Sequence, residues 1–159
     1  MIFNSYNFVL FFVVIFILYW FVFNKTAKTQ NGLLLISSLV FYGWTDWRFL
    51  SILIFNILFN YYLAKNIFKA NKEKTKQKIL WFGIIINIGI LGYYKYFNFF
   101  YENIITLFNL GVSFTALDLL IPLGISFFTF QSLGYLIDVY YEEIEPYNDL
   151  LMFSTYMTF

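Results

Sequence analysis

Gln131, Tyr135 and Asp138 stand at i, i+4 and i+7 in the stretch Ile121 to Tyr141, IPLGISFFTFQSLGYLIDVYY. On a helix turning 100° per residue this spacing puts an amide, a phenol and a carboxylate on one face, with Gly124 a heptad further back. Ser126, Thr129 and Tyr140 fall roughly opposite. An ionised carboxylate in lipid costs at least a few kcal/mol, so Asp138 is expected to face protein, water or the interface. Two roles are open to it. It can sit at the helix end near headgroups while Gln131 bonds a neighbouring helix, or it can belong to a substrate or proton path.

The other groups that usually perform chemistry are missing. The chain has no histidine and no cysteine. That removes the commonest general base, the commonest metal ligand, thiol nucleophiles and disulfides together. No phosphate-cradling glycine loop, dinucleotide fingerprint, HExxH or nucleophile-elbow pattern is present. No catalytic residue, metal site or bound cofactor is assigned, and Gln131, Tyr135 and Asp138 are the chamber-lining or structural candidates.

The helix that carries them must sit among others like it. Of the 159 residues, 61% are hydrophobic, 26% aromatic and 12% charged, and mean hydropathy is +0.71. Soluble domains are nearer half apolar and a quarter charged. The composition implies an all-α, polytopic helical membrane protein whose immediate partner is the lipid bilayer. A net charge of +1 gives no field for nucleic acid.

One membrane-embedded region, 1–159, is expected, with about five to six membrane helices. Residues 6–23 form an uncleaved first helix, since Lys25 and Lys28 follow the apolar run and no charge precedes it. Residues 33–44 are too short to cross alone. They lead into Gly43-Trp44-Thr45-Asp46-Trp47-Arg48, where Gly43 permits a sharp turn and Asp46 can pair with Arg48. Residues 49–64 carry Asn56 and Asn60 on one face, as helix-to-helix glue. Residues 65–78 hold six lysines against one glutamate, so this loop is cytoplasmic and the N-terminus outside.

The next crossing is 79–96, with Gly83, Gly89 and Gly92 allowing close helix approach and an aromatic belt around Lys95. Residues 97–110 are interfacial or re-entrant, and Gly111 to Ala116 form a short loop. A bilayer-crossing helix over 119–141 would span roughly 34 Å. An acidic, Pro-broken loop follows, its side left open, and a new apolar run starts at Leu150 and stops at Phe159. Such a stop is expected of the N-terminal part of a longer protein.

The run Ile121-Pro122-Leu123-Gly124-Ile125-Ser126-Phe127-Phe128-Thr129-Phe130-Gln131, continuing to Tyr135-Leu136-Ile137-Asp138-Val139-Tyr140, closely resembles the core motif of membrane-bound O-acyltransferases. Phe41-Tyr42-Gly43-Trp44 with Asp46-Trp47-Arg48-Phe49, and Leu91-Gly92-Tyr93-Tyr94-Lys95-Tyr96-Phe97-Asn98-Phe99, resemble its alginate O-acetylation branch. The order and spacing fit across nearly the whole chain. The resemblance implies a multi-pass enzyme of the plasma or inner membrane that moves an acyl group, here acetyl, onto a hydroxyl of a cell-surface or secreted polysaccharide. It implies an acyl donor (acetyl-CoA or an acyl carrier), a polysaccharide acceptor and an extracytoplasmic acetyl-transfer partner protein. In this family the essential histidine and an F-P-x-x-x-x-G-P-I-like stretch lie downstream of the core motif, and this chain contains neither. Alternatives are D-alanyl transfer to teichoic acid by a related membrane acyltransferase, or a non-enzymatic glycan transporter subunit built from repeat-related halves.

Overall fold

The computed structural model describes residues 6–45, 47–108, 122 and 124–159. Every element among them is helical, as the composition requires. Helix α1 (Tyr6–Ile17) continues through a π-helical turn (Leu18–Val22), and α2 is Ala27–Thr45. Helix α3 is Trp47–Lys69 and α4 is Glu73–Leu91, which a second π-helical turn (Gly92–Tyr96) joins to α5 (Phe97–Phe108). Helices α6 (Ile125–Tyr140) and α7 (Leu150–Thr158) complete the described chain. Trp47–Lys69 and the continuous Glu73–Ile104 are long and apolar enough to cross a bilayer, and Tyr6–Val22 is a shorter apolar helix.

Helices α3, α4 and α6 pack on one another, and α7 lies along α2 and closes against α3 and α6. The reason is legible in α3. Leu53, Ile57, Tyr61, Ala64 and Ile67 recur every three or four residues, and all are buried in the core of the bundle. Gly83 lets α4 approach closely, because a Cβ there would stand 2.8 Å from Leu136 and 3.2 Å from Leu63. Gly89 and Gly92, expected to do the same, have open space around them. Helix α1 buries none of its residues and leans on α2 through Phe8 and Phe41, whose ring centroids are 5.6 Å apart.

Two boundaries differ from the hydropathy reading. Helix α2 begins well before Leu33. Thr26 caps it by accepting the Thr29 amide at 3.3 Å, so the polar residues Lys28, Gln30 and Asn31 form its first turns. The same helix runs straight through Gly43 to Thr45, so no turn occurs at that glycine. The proposed partner of Arg48, Asp46, lies outside the described residues, as do Asn109–Ile121 and Leu123.

The second boundary is the start of α6. Gly124 adopts φ +72° and Pro122 has no amide hydrogen, so the regular helix starts only at Ile125, whose amide bonds the Pro122 carbonyl at 3.2 Å. Helix α6 is therefore 16 residues long, about 24 Å, and not a full crossing over 119–141.

At one end of the bundle the lysines and the acidic loop come together. The Lys76 ammonium bonds the Glu142 carboxylate, and Tyr140 donates to Glu73 at 2.7 Å. Lys28 stands 3.8 Å from Asp149. The Tyr61 hydroxyl donates to the Asn148 carbonyl at 2.8 Å and accepts from Lys65 at 2.6 Å. The acidic loop therefore shares a face with residues 65–78. Glu142 has φ +62° just past the end of α6, where glycine is usual, and the Glu143 amide closes back on the Asp138 carbonyl at 2.9 Å. The hydrogen bond from the Lys76 ammonium holds the Glu142 carboxyl below its usual range. A lowered folded value means the stabilisation is present above the ordinary carboxylate range and is lost as pH falls through the lowered value. Thermal melts in detergent should therefore show a gap between wild type and Glu142→Gln near neutral pH that closes as pH falls below the ordinary carboxylate range.

Candidate functional site

The middle of the bundle is polar and sealed. Asn56 and Asn60 of α3, Asn87 of α4 and Ser132 of α6 are at most 1% exposed. Asn87 Oδ1 accepts from Asn56 Nδ2 at 2.8 Å and Asn60 Nδ2 at 3.2 Å. Its own Nδ2 donates to Asn60 Oδ1 at 2.9 Å and to the Gly83 carbonyl at 2.8 Å. The Ser132 hydroxyl lies 2.7 Å from Asn56 Oδ1 and 2.8 Å from the Phe128 carbonyl, and its one hydrogen serves one of them at a time. These amides satisfy each other and leave no room for a ligand. The expected glue role of Asn56 and Asn60 is what the geometry shows. Their partner Asn87 was not anticipated, although it is the one side-chain amide in Leu80–Leu91.

The three sequence candidates lie on the side of α6 that meets α7, and they separate in character. Tyr135 is a buried brace. It is 2% exposed, its ring packs 4.7 Å from Phe153 between centroids, and its hydroxyl accepts the Tyr147 amide at 3.1 Å. Gln131 reaches across to α7, donating Nε2 to the Tyr156 carbonyl at 2.7 Å. Its Oε1 is buried without a hydrogen-bond partner among the described residues. Asp138 is half-buried one turn before the lysine-bearing end.

What joins them is Tyr156, which sequence reasoning missed. Its ring lies 6.2 Å from Tyr135, its phenol stands against the Gln131 side chain, and it is within electrostatic reach of Asp138. Nothing in the run LLMFSTYMTF distinguishes it from a packing tyrosine. At 39% exposure it forms the open wall of the cluster. The set offers an acceptor-only amide oxygen, a carboxylate and a phenol, which suits a hydroxyl-bearing ligand. Among the described residues there is no group of metal-ligating side chains.

A separate cavity of about 880 Å³ opens between α1, α2, α6 and α7. Its walls are rich in phenylalanine, including Phe8, Phe12, Phe16, Phe41, Phe127 and Phe128. Gln131, Tyr135 and Asp138 do not line it. Such a surface suits hydrocarbon, with the hydroxyls of Ser37, Ser38 and Thr158 among its few polar groups.

At the opposite end of α6, the π-helical turn presents Lys95, whose ammonium donates to Ser126 at 3.0 Å. The aromatic-belt reading of this segment thus gains a specific contact to the start of α6.

The architecture is that of a helical membrane protein organised around α6. The chain is 34% identical to probable alginate O-acetylase AlgI of Pseudomonas aeruginosa over 99% of its own length and 30% of that protein's. It is 33% identical to the protein of the same name in Azotobacter vinelandii, over 99% of this chain and 32% of that one. To the peptidoglycan O-acetyltransferase of Helicobacter pylori it is 35% identical, over 88% of this chain and 27% of that one. No family model and no solved structure matches. The chain is similar to these O-acetylases and this O-acetyltransferase across essentially its whole length, in agreement with the resemblance of its core motif. It spans about 30% of the length of the curated relatives it matches.

Removing Asn87 tests the amide cluster. Asn87→Leu should cost about 1–3 kcal/mol by orphaning two buried amides, read as a lower denaturation midpoint in detergent. Replacing Asn56, Asn60 and Asn87 together with apolar residues should cost less than the sum of the single losses.

Proposed function

We propose that this protein is the N-terminal membrane part of an O-acetyltransferase that esterifies hydroxyl groups of a cell-surface or secreted polysaccharide. The observation that carries the reading is the similarity to alginate and peptidoglycan O-acetylases over essentially the whole chain. In the reaction the acceptor oxygen forms a bond to the acetyl carbonyl carbon, the donor's bond to that carbon breaks, and a base takes the hydroxyl proton. That base is not a histidine of these residues, because the chain has none. Gln131 and Asp138 line the path at the α6–α7 edge, and Tyr135 fixes the wall behind them. No observation favours D-alanyl transfer or glycan transport.

The protein is multi-pass, with its N-terminus outside and residues 65–78 in the cytoplasm. The joining of residues 142–149 to the lysine-bearing end supports this, because three loops separated by membrane helices then share one side. Helix α6 accordingly descends from an outer Gly124 to a cytoplasmic Tyr140. Acetyl donor, either acetyl-CoA or an acyl carrier, arrives from the Asp138 end. The polysaccharide and an extracytoplasmic partner protein meet the opposite end, near Ser126 and Lys95.

Loss of the gene should remove ester-linked acetyl from the surface polysaccharide, and re-expression of the full-length protein should restore it. Asp138→Asn should lower that acetylation about tenfold or more at unchanged protein level. Equal acetylation by wild type and variant would remove Asp138 from the path. The absence of native cysteine makes topology directly readable. Single cysteines at Lys72 and Glu145 should both resist an impermeant maleimide in intact spheroplasts and react in inverted vesicles. Labelling from opposite faces contradicts the orientation.

A further inference from the structure

Of the six lysines in residues 65–78, two are engaged inside the molecule. Lys65 donates to the Tyr61 hydroxyl, and Lys76 bonds the Glu142 carboxylate. The other four, Lys69, Lys72, Lys74 and Lys78, are exposed and have no partner among the described residues. Helix geometry arranges them. Lys74 and Lys78 are four apart on α4 and so share a face, which Trp81 and Ile85 continue at 56% and 63% exposure. Leu80, Gly83 and Asn87, the residues that α4 buries, lie on the opposite side. Phe59 of α3 meets Phe82 of α4 at 5.9 Å between ring centroids. That contact sets the exposed Tyr62 and Lys69 of α3, seven apart and so on one face, beside the α4 stripe.

The stripe has the order of a lipid leaflet. Trp81 lies about 4.5 Å deeper than Lys78 along the helix, and Ile85 about 10 Å deeper. Charge, then indole, then aliphatic side chain is the sequence met on passing from headgroups into hydrocarbon. We propose that the outer face of the α3–α4 hairpin is a docking surface for anionic phospholipid. Lys69, Lys74 and Lys78 hold the phosphate, and an acyl chain lies along Trp81 and Ile85. A zwitterionic headgroup brings its own ammonium to the same lysines, so net negative lipid is favoured. A soluble anion is a poorer occupant, because the lysines lead into an open apolar face and close no pocket around it. This inference rests on the orientation that puts residues 65–78 at the cytoplasmic headgroups, and not on the acetyl-transfer reading.

The test adds phosphatidylglycerol or phosphatidylcholine with the same acyl chains to full-length protein in detergent. Native mass spectrometry then counts the lipid retained. Wild type should hold phosphatidylglycerol about tenfold more tightly or better, with a preference that falls as salt rises. Lys74→Gln and Lys78→Gln should each lower that preference about fivefold, with the melting temperature in lipid-free detergent unmoved. The arginine substitutions Lys74→Arg and Lys78→Arg should keep it. Lys25→Gln removes the same charge from the α1–α2 link and should leave the preference intact. Equal retention of both lipids by wild type would overturn the surface and show that another part of the protein covers this face. A loss in Lys25→Gln as large as in Lys74→Gln would overturn it too, since net charge would then be selecting the lipid. Maleimide labelling of the Lys72 cysteine from outside, with the lipid preference retained, would sink the orientation and leave the surface standing.

Discussion

Four side chains hold the centre of this molecule together. In a bilayer, one apolar helix gains little by packing on another, because lipid tails are as apolar as leucine. What fixes α3, α4 and α6 in one arrangement is the exchange of hydrogen bonds among Asn56, Asn60, Asn87 and Ser132. Separating the helices would strand four amide or hydroxyl groups where nothing else can satisfy them. Gly83 makes this possible. It removes a side chain where Leu136 and Leu63 converge, and its carbonyl also accepts from Asn87. Close approach and polar exchange therefore occur at one level of the bundle.

With the centre fixed, the two ends of α6 take different tasks. Its start is broken by Pro122 and Gly124 and touched by Lys95, while its finish is clamped by Lys76 and closed by Glu142 in a left-handed conformation. Polar contacts run along α6 from Ser126 to Tyr140. The side toward α3 and α4 carries the Ser132–Asn56 bond of the amide cluster, and the side toward α7 reaches Tyr156 through Gln131. That asymmetry separates scaffold from site on one helix.

Much of this was legible in the residues. Asn56 and Asn60 announce a polar face because they are four apart, and the alternation of lysine-rich and apolar stretches gives the helical class. Asn87 stayed hidden because one amide in an apolar helix has no period to match. The start of α6 was misread because hydropathy registers composition, whereas the break comes from a backbone angle at Gly124 and a missing amide hydrogen at Pro122. The start of α2 escaped for the converse reason, since a capped polar turn is helical without being apolar. Tyr156 was invisible because its importance comes from three residues on another helix, which no local spacing encodes.

The continuous helix formed by α4, the π-helical turn and the start of α5 runs 32 residues to Ile104, or about 48 Å. The hydrocarbon core is about 30 Å thick, and lying wholly inside it would demand a tilt of about 50°, beyond the usual range of about 0–40°. The first polar turns, through Lys78, belong to the headgroups. About 20 residues then fill the core and bring the chain to Asn98. The π-helical turn falls in the last part of that passage, with Lys95 reaching Ser126 from it. Beyond it, Phe99, Phe100 and Tyr101 leave the hydrocarbon on the side away from the lysines. A ring-rich helical post of this kind continues beyond the level of the Lys95–Ser126 contact at the start of α6.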